Sequence, residues 1–279
     1  MEYKFCEASR DGKVSKMKEI LRSNPALDVN WAHPVEGKLT ALHYASLGVQ
    51  EFSVGILLAH PDIDVNKTNV CGCTPFMLAC EFGSRHCVRL LLKDARVRVD
   101  SPDKDGCTPL WRAAFRGRFD TIMSWIASGR EMNLGEPGNQ ETDVIEAARR
   151  SDIWDNKETR RGKSLVVELL ERYRETPEKT RHQTRIETGW YDETASQVYA
   201  IVVFVSDGLL GLGLGLDDMV VIPAARFILM ATKLPLELQA VLSYRVAGSG
   251  RDIIVSRKSE VAFKTLAKSL STRPEESGA

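Results

Sequence analysis

TPFMLACEFG, residues 74–83, and TPLWRAAFRG, residues 108–117, are two versions of one phrase, and TALHYASLG, residues 40–48, is a third. The threonines that open them, Thr40, Thr74 and Thr108, are spaced 34 and 34 apart. An apolar run follows each: SVGILLAHPDIDVN (53–66), CVRLLLKDARVRVD (87–100) and TIMSWIASGREMNL (121–134). NVCG precedes Thr74 and DKDG precedes Thr108. The opening stretch FCEASRDGKVSKMKEILRSNPALDVN (5–30) lacks the threonine but keeps Ala8, Gly12, Ile20, Leu21 and DVN. A fixed period of this length marks a stacked array.

The chemistry of one copy is legible. Thr74 and Thr108 suit a helix N-cap, where the hydroxyl oxygen accepts from an orphan amide of the first turn. Pro75 and Pro109 then fall at the first helical position, where no amide proton is needed. Ala79 and Ala113 are small enough for one helix to lie close on another. Gly83 and Gly117 end that helix at a place suited to positive φ. A second helix is predicted from apolar residues three and four apart: Val88, Leu91 and Leu92 in one copy, Ile122, Trp125 and Ile126 in the next. A turn closed by Gly72 or Gly106 leads to the following copy. One such pair of helices cannot bury its apolar face alone; stacked neighbours can.

TALHYA, TPFMLA and TPLWRA resemble the T-P-L-H-x-A signature of ankyrin repeats. The resemblance implies an all-α ankyrin solenoid over residues 1–175, with copies at about 5–37, 38–72, 73–106 and 107–138. A degenerate fifth, 143–175, opens at DVIEAARRSD, with its second helix at 164–175 delayed by a charged insert, 153–163. Only His43 keeps the motif histidine, as a structural tie between neighbouring turns; Met77 and Trp111 replace it later. The family binds partner proteins on a concave surface made of turn tips and the exposed side of each first helix. Carried onto this chain, the tips are His33 and Val35, then Thr68, Val70 and Cys71, then Pro102, Lys104 and Asp105. The helix positions are Glu81 and Phe82, then Phe115 and Arg116. Phe82 and Phe115 stand one copy apart and have the composition of interface anchors, unless each ring packs back on its own stack. Trp111 and Trp125 read as packing between copies.

The remaining signals narrow the function class. With 38 basic and 38 acidic side chains the 279-residue chain has no net charge, and so no global pull on nucleic acid or anionic lipid. The opening MEYKFCEASRDGKV has no apolar signal segment, and six cysteines are too sparse for a disulfide framework, which points to a reducing cytoplasm or nucleus. Cys71, Cys73, Cys80 and Cys87 lack the second knuckle a zinc site needs. Cys107 simply repeats Cys73 one copy on. No metal or cofactor is expected. RRGK (160–163) brushes the phosphate-loop pattern, but Lys157 stands where its first glycine belongs. No catalytic constellation is present, and Asp217–Asp218 and GLLGLGLGL (208–216) are weak signals for Mg²⁺ and for a dinucleotide, so no enzyme is expected.

Beyond the repeats, 176–193 is polar and reads as a connection, 194–272 as a helical region and 273–279 as a flexible tail. VYAIVVFVSDGLLGLGLGL (198–216) has the length of a membrane span, but Asp207 and four glycines favour a buried helix, 194–207, followed by a loop. LPLEL (234–238) is similar to the opening of F-box-like segments, which would make Leu234, Pro235, Glu237 and Leu238 a docking site for a ubiquitin-ligase component. The competing reading is a helical cap on the last repeat. The surrounding stretch also resembles the C-terminal part of some fungal and protist ankyrin proteins.

Overall fold

The computed structural model describes residues 1–135 and 143–206, together with Gln239 and Ser243. Every element among the described residues is helical. The chain divides into two compact units, Met1–Thr184 and Arg185–Ala279.

The first unit is a succession of helix pairs. First helices are α1 (Glu2–Arg10), α3 (Ala41–Leu47), α5 (Pro75–Phe82), α7 (Pro109–Phe115) and α9 (Val144–Arg149). Second helices are α2 (Val14–Ser23), α4 (Glu51–Leu58), α6 (Arg85–Lys93), α8 (Phe119–Ser128) and α10 (Lys157–Glu175). Each first helix packs on the next first helix, and each second helix on the next second helix. This is the regular translation that the threonine spacing predicts.

The caps fall where the sequence puts them. Thr74 Oγ1 accepts the Met77 amide at 3.2 Å and Thr108 Oγ1 the Trp111 amide at 3.2 Å. Thr40 caps α3 in the same way, and Asp143 takes the role in the fifth copy, accepting the Glu146 amide at 2.7 Å. The turn between paired helices also recurs. The amides of Lys13, Gln50, Ser84 and Arg118 donate to the carbonyls of Ala8, Ala45, Ala79 and Ala113 at 2.9, 2.9, 3.1 and 2.9 Å. All four alanines are buried. The residue before each donor lies at positive φ: Gly12 at 67°, Val49 at 57°, Gly83 at 76° and Gly117 at 64°. Three copies supply glycine there and the second a β-branched residue, for which that conformation is strained.

The predicted faces form the core. Val88, Leu91, Leu92, Ile122, Trp125 and Ile126 are all buried, each aliphatic side chain contributing about 1.5–3 kcal/mol of transfer free energy. Trp125 meets Phe76 of the preceding copy edge-on, with centroids 4.9 Å apart. His43 ties the turns as expected: its Nδ1 accepts the Thr40 amide at 3.1 Å and its Nε2 donates to the Cys73 carbonyl at 3.1 Å. Asparagines that the signature does not mark add a second set of rungs. Asn30 Nδ2 donates to Asp62 O and Asn30 Oδ1 accepts from Asp64 N, while Asn66 does the same with Arg96 O and Arg98 N.

Two stretches depart from expectation. The insert 153–163 is not a delay before the last helix. Asn156 accepts the Thr159 amide at 2.8 Å and starts α10 seven residues earlier than 164. Gly162 then lies inside α10 and touches the α7–α8 turn, where a Cβ on it would stand 2.3 Å from Gly117 O. Residues 176–193, expected as a connection, hold α11 (Pro177–Glu187) and the start of α12 (Trp190–Ser206). α11 has no apolar stripe to announce it. It starts at Pro177 and carries an i,i+3 pair, Glu178–Arg181.

In the second unit, α12 covers 194–206 of the helix expected at 194–207 and begins four residues earlier. Ala195, Ser196, Ala200 and Val202 are buried, whereas Gln197 is exposed. Among the described residues no helix is long and apolar enough to cross a membrane. Gln239 and Ser243 are helical, with Ser243 Oγ donating to Gln239 O at 2.8 Å. Leu234, Pro235, Glu237, Leu238, the Asp217–Asp218 pair, the glycine-rich run 208–216 and the tail 273–279 lie outside the described residues.

Candidate partner-binding surface

The turns that join copies project as fingers, and the backbone is spent on holding the fingers together. Val70 N donates to Gly37 O at 2.9 Å and Lys104 N to Cys71 O at 2.9 Å. Inside each finger one carboxamide or carboxylate oxygen organises the loop. Asn69 Oδ1 accepts the amides of Cys71 and Cys73, each at 2.9 Å, and Asp103 Oδ1 those of Asp105 and Cys107, each at 2.9 Å. Asp103 is buried, and its other oxygen takes Arg112 Nη2 at 2.6 Å and Nε at 3.0 Å. These main-chain bonds hold the fingers in register and leave the tip side chains facing solvent.

Most residues expected at the tips are exposed. Thr68, Val70, Cys71, Pro102, Lys104 and Asp105 are exposed, and Val35 is 85% exposed. His33 differs. It is half-buried with its ring 5.4 Å from both Tyr3 and Trp31, and its Nδ1 accepts the Glu36 amide at 2.9 Å. Its work is to shape its own loop.

The two phenylalanines separate. Phe82 projects with 47% of its surface exposed. Phe115 is half-buried, lies flat on Trp111 with centroids 5.1 Å apart, and has Lys163 Nζ 4.6 Å from its ring centroid. The presence of a fifth copy decides this, because α10 brings Lys163 over the ring. Phe115 therefore corrects the expectation of a free anchor: it packs on its own stack. Glu81 and Arg116 are also committed, to each other, at 3.1 Å across adjacent copies. Sequence reasoning missed the exposed Phe52, Val49 and Tyr3, and the Ile153–Trp154 pair. Phe52 and Val49 sit where the repeat period names no surface role; Ile153 and Trp154 are hidden in an insert read only for its charge.

The cysteines resolve into packing. Cys71 is exposed; Cys6, Cys73, Cys80, Cys87 and Cys107 are buried. Burial pushes the Cys6 thiol up to about 12 and the Cys73 thiol up to about 11, so both stay protonated. Among the described residues no three His, Cys, Asp or Glu side chains gather as a metal site.

Residues 53–135 match the family described as Ankyrin repeats (3 copies). Similar proteins include Transient receptor potential cation channel subfamily A member 1 of Homo sapiens, 31% identical over 93 residues, which is 33% of this chain and 8% of that protein. E3 ubiquitin-protein ligase XBAT33 of Arabidopsis thaliana is 36% identical over 126 residues, 44% of this chain and 24% of that protein. SMC5-SMC6 complex localization factor protein 1 of Bos taurus is 35% identical over 81 residues, 29% of this chain and 8% of that protein. The chain thus spans a quarter or less of the length of these relatives.

Proposed function

We propose, from the premise that this is an ankyrin-repeat protein, that it is a non-enzymatic scaffold that captures a partner protein on its finger tips and on the exposed side of its first helices. The observation that carries this reading is the ladder of fingers: backbone groups are satisfied copy to copy, while Val35, Val70, Cys71, Pro102, Lys104 and Phe82 face solvent. Apolar tips on a rigid frame lower the ordering cost of association. The test is capture of partners from cell extract by the full chain, compared with a Phe82→Ala, Val70→Asp variant. Capture should fall while thermal unfolding stays within about 0.5 kcal/mol, as for exposed positions. Phe115→Ala should instead cost about 1–3 kcal/mol, because a half-buried, stacked ring is lost. Equal capture by the Phe82 variant and the unaltered chain sinks the reading.

A second reading, adaptor of a ubiquitin ligase through Leu234, Pro235, Glu237 and Leu238, is favoured by LPLEL and by the ligase name of the Arabidopsis relative. It requires co-purification with a cullin-type complex, and loss of that complex in a Leu234→Ala, Pro235→Ala variant that still folds.

A further inference from the structure

Away from the fingers, the fifth copy holds a cleft between the end of α9 and the opening turns of α10. Its volume is about 440 Å³, and its lining includes Arg149, Arg150, Asp155, Arg160, Lys163 and Val167. Four cations therefore face one carboxylate. Two of the cations are already paired. Lys163 Nζ lies 2.7 Å from Asp155 Oδ2, both nearly excluded from water, and donates to Arg150 O at 2.8 Å. Arg149 reaches Glu171 and, at 3.7 Å, Glu146. Arg150 and Arg160 are exposed, and neither forms an ion pair with a carboxylate among the described residues.

Next to the cleft-lining residues in sequence stand two of the most exposed apolar side chains among the described residues of the first unit. Ser151 and Asp155 line the cleft, and the loop between them presents Ile153 at 88% and Trp154 at 82% exposure. The loop is pinned: Asp155 Oδ2 accepts the Asp152 amide at 2.8 Å as well as the Lys163 ammonium. Burial raises the Asp155 pKa, but the amide and the ammonium together outweigh it and hold the carboxyl below its ordinary value. Trp154 thus projects from a loop anchored at a buried ion pair. A large exposed ring on the loop that leads from Arg150 towards Arg160, two guanidinium groups outside any ion pair among the described residues, has the make-up of a recognition hot spot.

We propose that this cleft docks an acidic segment of a partner protein, its carboxylates on Arg150 and Arg160 and an apolar side chain against Trp154. Charge complementarity selects the occupant, since guanidinium forks match carboxylates in two-point contacts. A nucleic acid strand is the weaker fit. Asp152 and Glu158 flank the arginines and would repel a continuous line of phosphates, and the chain has no net charge. The site is independent of the finger surface.

The test uses the full chain and a short fluorescein-labelled peptide of alternating glutamate and leucine, followed by fluorescence polarisation. The same peptide with lysine for glutamate, and a single-stranded oligothymidine, serve as further probes. The acidic peptide should bind, more weakly as salt rises, and Arg150→Glu with Arg160→Glu should weaken it by about tenfold or more. Trp154→Ala should also weaken it, and Phe82→Ala should leave it unchanged. Arg150, Arg160 and Trp154 are all exposed, so circular dichroism should show these variants folded; a Trp154→Ala variant alone still decides if the charge reversal disturbs the helix. Four results would overturn the proposal: no saturable binding of the acidic peptide, undiminished binding in the folded arginine or Trp154 variants, equal competition by the lysine peptide, or tighter arginine-dependent binding of the oligothymidine.

Discussion

His43 should make the repeat array acid-labile well above the range in which carboxylates titrate. Its ring is wholly buried, and burial pushes the pKa down from 6.5 to about 4, against a smaller opposing effect of the Cys73 carbonyl. The neutral form is the one the fold needs, with Nδ1 accepting from Thr40 and Nε2 donating to Cys73. As pH falls, the unfolded chain takes up a proton that the folded chain refuses. The contribution is therefore fully present above about 6.5 and is lost progressively down to about 4. Between pH 7.5 and 4.5 the loss is about 2–3 kcal/mol. Urea unfolding followed by circular dichroism should show the midpoint falling by about 1–2 M over that interval, given the usual dependence on denaturant. His43→Gln keeps a donor for Cys73 O but cannot titrate here. It should be less stable at pH 7.5 and lose clearly less than the unaltered chain on acidification. Parallel losses in the two proteins would refute the assignment of this pH dependence to His43.

Three other outcomes are expected. Val49→Gly should raise stability by about 1 kcal/mol, read as a higher urea midpoint, because glycine relieves the left-handed strain at a solvent-exposed turn. Gly162→Ala should cost about 1–3 kcal/mol, since the new methyl meets the backbone at Gly117 and α10 must shift; thermal melting and a change in tryptophan emission check it. Titration of the native protein with Ellman's reagent should label a single thiol quickly, Cys71, with the other five reacting only after denaturation.

What the sequence disclosed was whatever repeats. Threonine at matching positions located the caps of the first helices in the second to fourth copies, and alanine and the apolar spacing located the helices and their shared faces in the first four, because each residue type answers a local backbone requirement. The fifth copy was harder, since Asp143 replaces threonine and a helix that starts at Asn156 shows no early apolar stripe. Surface roles were only half legible. The tips carry over because a finger is defined by its turn. The fate of Phe115 hung on Lys163, 48 positions away, and that of Glu81 on Arg116, 35 positions away. Such pairings leave no periodic trace. α11 was missed for a different reason: a helix polar on every side has the composition of a loop.

Every substantial helix contact among the described residues of the first unit joins a helix to its own copy or to the adjoining one. The asparagine rungs obey the same rule. Tension applied across this unit would therefore detach it link by link, each rupture shortening the chain of survivors without loosening those further along.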